Sequence, residues 1–325
     1  MLISFGAVAA GLLVLVWSAN HFVEGASALA KHLGVSSLII GITIIGFGTS
    51  APEILVSVIS VLEETPDIAI GNALGSNIAN IGLILGITAL IIPVPIAKEI
   101  LSREFPLLLI ATAVMIWCLY DGALNRFDGV LLLVVLAAML WFLVKSHRLK
   151  AEQGEDDVPI AEIPGGMSFK AACSWIVLGL IFLVGSSKLL VWGATNIAHA
   201  FGISELIIGL TIIALGTSLP ELAASLASLK KQEPDLAIGN VIGSNLFNSL
   251  AVIGIPSVIT SFRIDASAIT RDLPVVVGLT ILLYAMARFP LSSSLQLSRT
   301  KGFCLIACFV IYQLYLYYSV TTGNS

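Results

Sequence analysis

GFGTSAPE, residues Gly46 to Glu53, returns as ALGTSLPE, residues Ala214 to Glu221. Both copies lie inside apolar runs long enough to cross a bilayer, yet each carries a glycine, two hydroxyls, a proline and a carboxylate. A charged side chain at bilayer depth costs roughly 2.5 to 3.5 kcal/mol on insertion scales, so it faces a cavity, a partner or an ion rather than lipid. Pro52 and Pro220 have no N–H, so in a helix the carbonyls of Gly48 and Gly216 lose their usual donors and the helix is expected to break there. Free carbonyl oxygen, two hydroxyls and a carboxylate one turn on form a set of hard oxygen donors. Hard cations take such donors.

Working outward, the whole neighbourhood repeats. Adding 168 to a residue number carries Gly34 to Ile96 onto Gly202 to Ile264 without a gap, and 30 of those 63 positions are identical. The register continues from Gly25 to Gly193 and from Arg103-Glu104 to Arg271-Asp272. Apolar runs of bilayer length fall near 2–28, 36–62, 68–93, 105–121, 127–144, 169–200, 204–229, 236–259, 273–289 and 302–320, here called spans 1 to 10. Five spans per copy is an odd number, so the second copy enters the membrane inverted. The expectation is an all-α membrane protein of ten transmembrane helices, arranged as two inverted five-helix repeats with helices 2 and 7 broken. Residues 1–144 form the first repeat, 145–168 a cytoplasmic linker and 169–325 the second repeat. Inverted repeats of this kind place a site at the midplane and open it to each face in turn. The runs 2–28 and 169–200 exceed what the hydrocarbon core needs and are candidate moving parts.

Composition agrees: 58% of the 325 residues are hydrophobic and 11% charged. With spans numbered as above, twelve Lys and Arg lie on the side of the loops after spans 1, 3, 5, 7 and 9, and three on the other side. The positive-inside rule then puts both termini outside the cytoplasm and the central loop within it. The first run lacks a basic leader and a small-residue cleavage site, so it reads as a retained span. Cys118, Cys173, Cys304 and Cys308 lack CxxC spacing and read as packing residues. Without a GxxxxGK[ST] phosphate loop an ATP-driven pump is not indicated, and no nucleophile and base stand at workable spacing for an enzyme.

A second polar stripe accompanies the first. Asn72, Ser76 and Asn80 recur every four residues along span 3, and Asn240, Ser244 and Asn248 do so along span 8. They meet the faces Thr49, Ser50, Glu53, Ser57 and Thr217, Ser218, Glu221, Ser225 of spans 2 and 7. Gly71 and Gly75, like Gly239 and Gly243, read as packing seams. His21 and Glu24, one turn apart in span 1, read as a local pair. If Glu53 and Glu221 converge, they offer up to four carboxylate oxygens, with Thr49 and Thr217 or their carbonyls adding about two, within the six to eight that Ca²⁺ takes. Once Ca²⁺ leaves, two close carboxylates repel and take up protons or other cations, which is the physical root of antiport. Coupling to Na⁺ or to H⁺ stays open on the residues alone, and a cation channel is a more distant alternative.

GFGTSAPE with GNALGSN, and ALGTSLPE with GNVIGSN, resemble the two alpha-repeats of the calcium:cation antiporter superfamily, specifically its sodium/calcium exchanger branch. The resemblance covers all ten spans. It implies a multi-pass protein of the bacterial inner membrane that exports Ca²⁺ in exchange for Na⁺, without cofactor, nucleic acid or obligate protein partner. It implies a Ca²⁺ site of Thr49, Glu53, Thr217 and Glu221. Flanking Na⁺ sites would use Ser50, Ser76, Ser218 and Ser244, with backbone carbonyls near Gly46 and Ala214, and Asn80 and Asn248 line the middle. Some members carry Asp where this chain has Asn248, which bears on K⁺ dependence and stoichiometry. The resemblance also implies that spans 1 and 6 slide across the remaining core.

Overall fold

The structure, a computed structural model, describes residues 1–153, 166–202, 214–289 and 295–322. It is almost entirely helical. Among the described residues nine helices are long and apolar enough to cross a membrane. They take spans 1 to 6 over Leu2–Leu33, Ser37–Leu62, Pro66–Ile91, Ile100–Leu119, Arg126–His147 and Phe169–Ala200, and spans 8 to 10 over Pro234–Ile259, Ala268–Arg288 and Arg299–Ser319. Span 7 is described from Ala214 onward, and its earlier part lies outside the described residues, as does 154–165 of the linker 145–168.

The two proline-bearing segments depart from a straight helix in different ways. In span 7, helix Ala214–Thr217 stops, Ser218 takes φ −91°, ψ 4°, and a new helix Leu219–Lys230 starts with Pro220 in its first turn, where a missing N–H costs nothing. In span 2 the widening comes upstream, as a π-helical turn over Gly41–Ile45, and the α-helix Gly46–Leu62 continues through Pro52. Further π-helical turns obey the same offset of 168: Ala79–Ile84 against Asn248–Val252, and Ile100–Glu104 against Ala268–Asp272. Sequence repetition is thus matched by repetition of an uncommon backbone conformation.

The repeats interlock. A short ribbon pairs Val94–Pro95 with Gln296–Leu297, and its inverted counterpart pairs Ala123–Leu124 with Phe262–Arg263. Spans 1 and 6 lie antiparallel along a glycine seam. A Cβ at Gly25 would meet the Ala172 carbonyl at 2.8 Å, and one at Gly193 would meet the Ser4 carbonyl at 2.8 Å. Small residues let helix backbones approach where lipid supplies no hydrophobic drive between helices. Span 8 forms the centre, with its most apolar 18-residue window wholly buried, whereas the windows of spans 1, 5, 6 and 10 are about one-third buried or less. Those four carry exposed Leu12, Val134, Ile181 and Ile311 toward lipid.

One expectation is corrected here. Glu24 pairs with Lys231 at 3.6 Å rather than with His21, whose Nδ1 lies 2.9 Å from the Trp17 carbonyl, because the next helix brings a full positive charge within reach. Gly239 and Gly243 do form a seam: a Cβ at Gly239 would meet the Leu38 carbonyl at 2.7 Å, and one at Gly243 would strike the Ile42 carbonyl. For Gly71 and Gly75, a Cβ at either would meet nothing within 4 Å among the described residues, and the part of span 7 that the repeat would set against them, 203–213, lies outside those residues.

Candidate cation site

The four polar faces meet where spans 2, 3, 7 and 8 cross. Glu53 and Glu221 are each 1% exposed. The hydroxyl of Thr49, in the first repeat, lies 3.1 Å from Asn240 Oδ1 and 3.2 Å from Ser244 Oγ of the second, and 3.5 Å from the Gly46 carbonyl. Residues 168 positions and half a molecule apart therefore share one polar pocket.

What sets the glutamates in place is a pair of asparagines outside the predicted ligand set. Asn72 Nδ2 donates to the Glu53 carbonyl at 3.0 Å and to Ser57 Oγ at 3.0 Å. Asn240 Nδ2 donates to the Glu221 carbonyl at 3.1 Å and to Ser225 Oγ at 2.9 Å. Each asparagine clamps the backbone of the neighbouring span at the glutamate itself and leaves the carboxylate free. Membrane helices commonly use such amides as glue. The signal was in the sequence, as the first member of each four-residue stripe, but spacing alone did not separate clamp from ligand.

The remaining predicted residues fall into two groups. Ser50, Asn80, Ser218 and Asn248 are buried, with Asn80 and Asn248 each at the first turn of a π-helical segment. Among the described residues thirteen buried side-chain oxygens and nitrogens lack a hydrogen-bond partner, and nine of them belong to Ser50, Glu53, Asn80, Ser218, Glu221 and Asn248. Buried polar atoms are paired in the great majority of cases, so this concentration marks a place built for a ligand. Ser76 and Thr217 stand at the edge instead, in the wall of a cavity of about 240 Å³ whose lining includes Gly71, Gly75, Arg271, Asp272 and Tyr312. Ser244 lies on the closed side against Thr49, and Ala214 begins the short helix that carries Thr217. Thr217 itself makes further interactions.

The donors are oxygen throughout, apart from the amide nitrogens. Among the described residues no three His, Cys, Asp or Glu side chains converge, so a cation held here is shared by two carboxylates with hydroxyl, amide and carbonyl oxygens. That donor set suits a hard ion such as Ca²⁺ or Na⁺ and offers nothing to a soft metal.

Sequence reasoning did not single out two further polar clusters, related to each other by the repeat. Arg271 Nε donates to Asp272 Oδ1 at 2.7 Å and Tyr312 Oη to the same oxygen at 3.0 Å. On the opposite side Arg103 Nε donates to Glu104 Oε1 at 2.8 Å, and His147 Nε2 lies 2.9 Å from that oxygen.

The family model described as sodium/calcium exchanger protein matches residues 3–145 and 172–318. The CaxA protein of Alkalimonas amylolytica is 45% identical over 98% of this chain and 100% of its own length. The inner membrane protein YrbG of Escherichia coli (strain K12) is 41% identical over 98% of this chain and 98% of its own. A solved structure of the sodium-calcium exchanger NCX_Mj superimposes with a TM-score of 0.81 at 31% identity, covering 97% of this chain and 99% of that one.

Proposed function

This chain belongs to the sodium/calcium exchanger family and is a multi-pass Na⁺/Ca²⁺ antiporter, and we propose that it works through one central site shared by its two halves. Ca²⁺ is held by the carboxylates of Glu53 and Glu221 with Thr49 and Thr217. Na⁺ occupies flanking positions built from Ser50, Ser76, Asn80, Ser218, Ser244 and Asn248 and the backbone near Gly46 and Ala214. The observation that carries this reading is a pair of buried glutamates, one from each repeat, on spans tied together through Thr49, Asn240 and Ser244, with most of the partnerless buried polar atoms on the same spans.

Two carboxylate charges balance one divalent cation. Departure of Ca²⁺ leaves like charges close together in a medium of low dielectric, so other cations must replace it before the site can cross to the other face. Residues 1–144 and 169–325 act as the two inverted units, joined by 145–168. Both termini lie outside the cytoplasm of a bacterial inner membrane, which places the cavity beside span 3 on the outer face. No enzymatic step and no resident cofactor enters this cycle.

The test is radiolabelled Ca²⁺ uptake by the purified protein in liposomes under imposed Na⁺, H⁺ and K⁺ gradients. Uptake driven by Na⁺ that survives a proton uncoupler at clamped potential supports Na⁺ coupling; loss with the uncoupler assigns H⁺, and dependence on K⁺ assigns cotransport. Glu53→Gln and Glu221→Gln are each expected to abolish exchange while inserting normally. Exchange at the parent rate in either variant defeats the site.

A further inference from the structure

Spans 6 and 7 are joined by a hydrogen bond for which the first repeat has no donor. The hydroxyl of Ser187, buried on span 6, donates to the carbonyl of Gly216 at 2.7 Å. That carbonyl is the one for which Pro220, four residues on, supplies no N–H. It lies one residue before Thr217 and two before Ser218, where the helix stops. Subtracting 168 gives Ala19 and Gly48. Gly48 has lost the same donor to Pro52, but Ala19 has no hydroxyl to offer it.

The packing around the two glycines differs as well. A Cβ at Gly48 would meet Leu180 at 3.2 Å and Phe22 at 3.5 Å, whereas one at Gly216 would strike Val191, whose counterpart is Val23 and not Phe22. Span 7 is therefore turned against span 6 relative to the way span 2 sits against span 1. Near the centre, span 2 packs on span 8 through Gly41, Gly46, Gly239 and Gly243, and Gly71 and Gly75 of span 3 line the cavity that also reaches Thr217.

We propose that Ser187 is a positioning residue for transport: its bond to the Gly216 carbonyl latches span 6 to the break in span 7 while this cavity is open, and it releases when the two halves exchange arrangements. The proposal rests on the alternating-access reading given above. In the exchanged arrangement span 7 takes the geometry span 2 has now, with Gly216 turned away from Val191 toward Leu190, the counterpart of Phe22. The Ser187 hydroxyl then no longer faces the carbonyl. The latch acts through Gly216 on the placement of Thr217 and Ser218 and touches no ion itself.

The experiment uses the full-length protein in liposomes, with its native cysteines replaced and one cysteine placed at Gln313 in the cavity wall, so that an impermeant thiol reagent reports the open face. Apparent Ca²⁺ affinity is measured separately from each face. Ser187→Ala is expected to weaken affinity on the cavity face and tighten it on the opposite face, moving their ratio about threefold to tenfold, the effect of one net hydrogen bond on the balance of two states. Labelling at Gln313→Cys slows in parallel, and Ser187→Thr, which keeps the hydroxyl, restores both. An unchanged ratio, equal weakening on both faces, or failure of Ser187→Thr to restore overturns the latch. If the protein without the Ser187 change moves no Ca²⁺ against Na⁺, the antiport reading falls, and the labelling arm still decides whether Ser187 holds the cavity open.

Discussion

Asn72 and Asn240 show how much one amide decides. Each spends its donors on the backbone carbonyl of a glutamate and on a serine hydroxyl one turn further along, so the glutamate side chain has no competing role. Asn240→Leu strips partners from the Glu221 carbonyl and Ser225, and an unsatisfied buried group costs about 1 to 3 kcal/mol. The expected outcome is a lowered melting temperature in detergent together with weakened Ca²⁺ affinity; a stability loss at unchanged affinity would make Asn240 a packing residue only. Asn80 and Asn248 present both amide atoms without partners in the same centre. Asn248→Asp adds a third carboxylate there and is expected to change the relative response to Na⁺ and Ca²⁺, read from uptake at varied Na⁺. Equal dependence before and after the change removes Asn248 from the ion path. The stripe that contains these residues was legible as spacing. Which members clamp and which face the centre was not, because helical periodicity gives a face and leaves the partner across it undetermined.

At the scale of elements, glycine identity carries different consequences in two places where the sequence is nearly the same. GNALGSN and GNVIGSN predict the same seam, and among the described residues only the second is packed against a neighbour, the facing part of span 7 lying outside them. Gly243→Ala puts a methyl into the Ile42 carbonyl, and overpacking of this kind costs about 1 to 3 kcal/mol. A clear fall in melting temperature is expected. Gly75→Ala meets nothing within 4 Å among the described residues and is expected to melt like the parent while slowing exchange if span 7 closes on span 3 in the other arrangement. Thermal melts and initial uptake rates on the two variants check the pair; matched behaviour would mean that the two seams are equivalent after all. The π-helical turns over Ala79–Ile84 and Asn248–Val252 belong to this scale too. Nothing in their composition marks a π turn, an uncommon conformation that appears as single turns inside α-helices.

For the whole molecule, the symmetry of the chain and the asymmetry of the structure have to be held together. The charge bias of the loops predicts that a reporter active only outside the cytoplasm works when fused after Ser325 and fails when fused within 154–165; the reverse pattern would invert the assigned face of the cavity. Chain order alone carries the polytopic character, the offset of 168 between repeats, the inversion that an odd span count implies, and the two segments from which the candidate site is drawn. These are properties of order along the chain, where hydrophobic run length, proline and buried carboxylate each carry a fixed energetic meaning. Folding in three dimensions is what sets Asn72 and Asn240 behind the glutamates, brings Ser187 to Gly216 and leaves a cavity beside Gly71, Gly75 and Thr217. Two repeats identical at 30 of 63 aligned positions encode similar local preferences, so which of them is open depends on how rigid bundles sit against each other. That placement is a sum of many weak contacts between residues distant in sequence, and no local pattern records its sign.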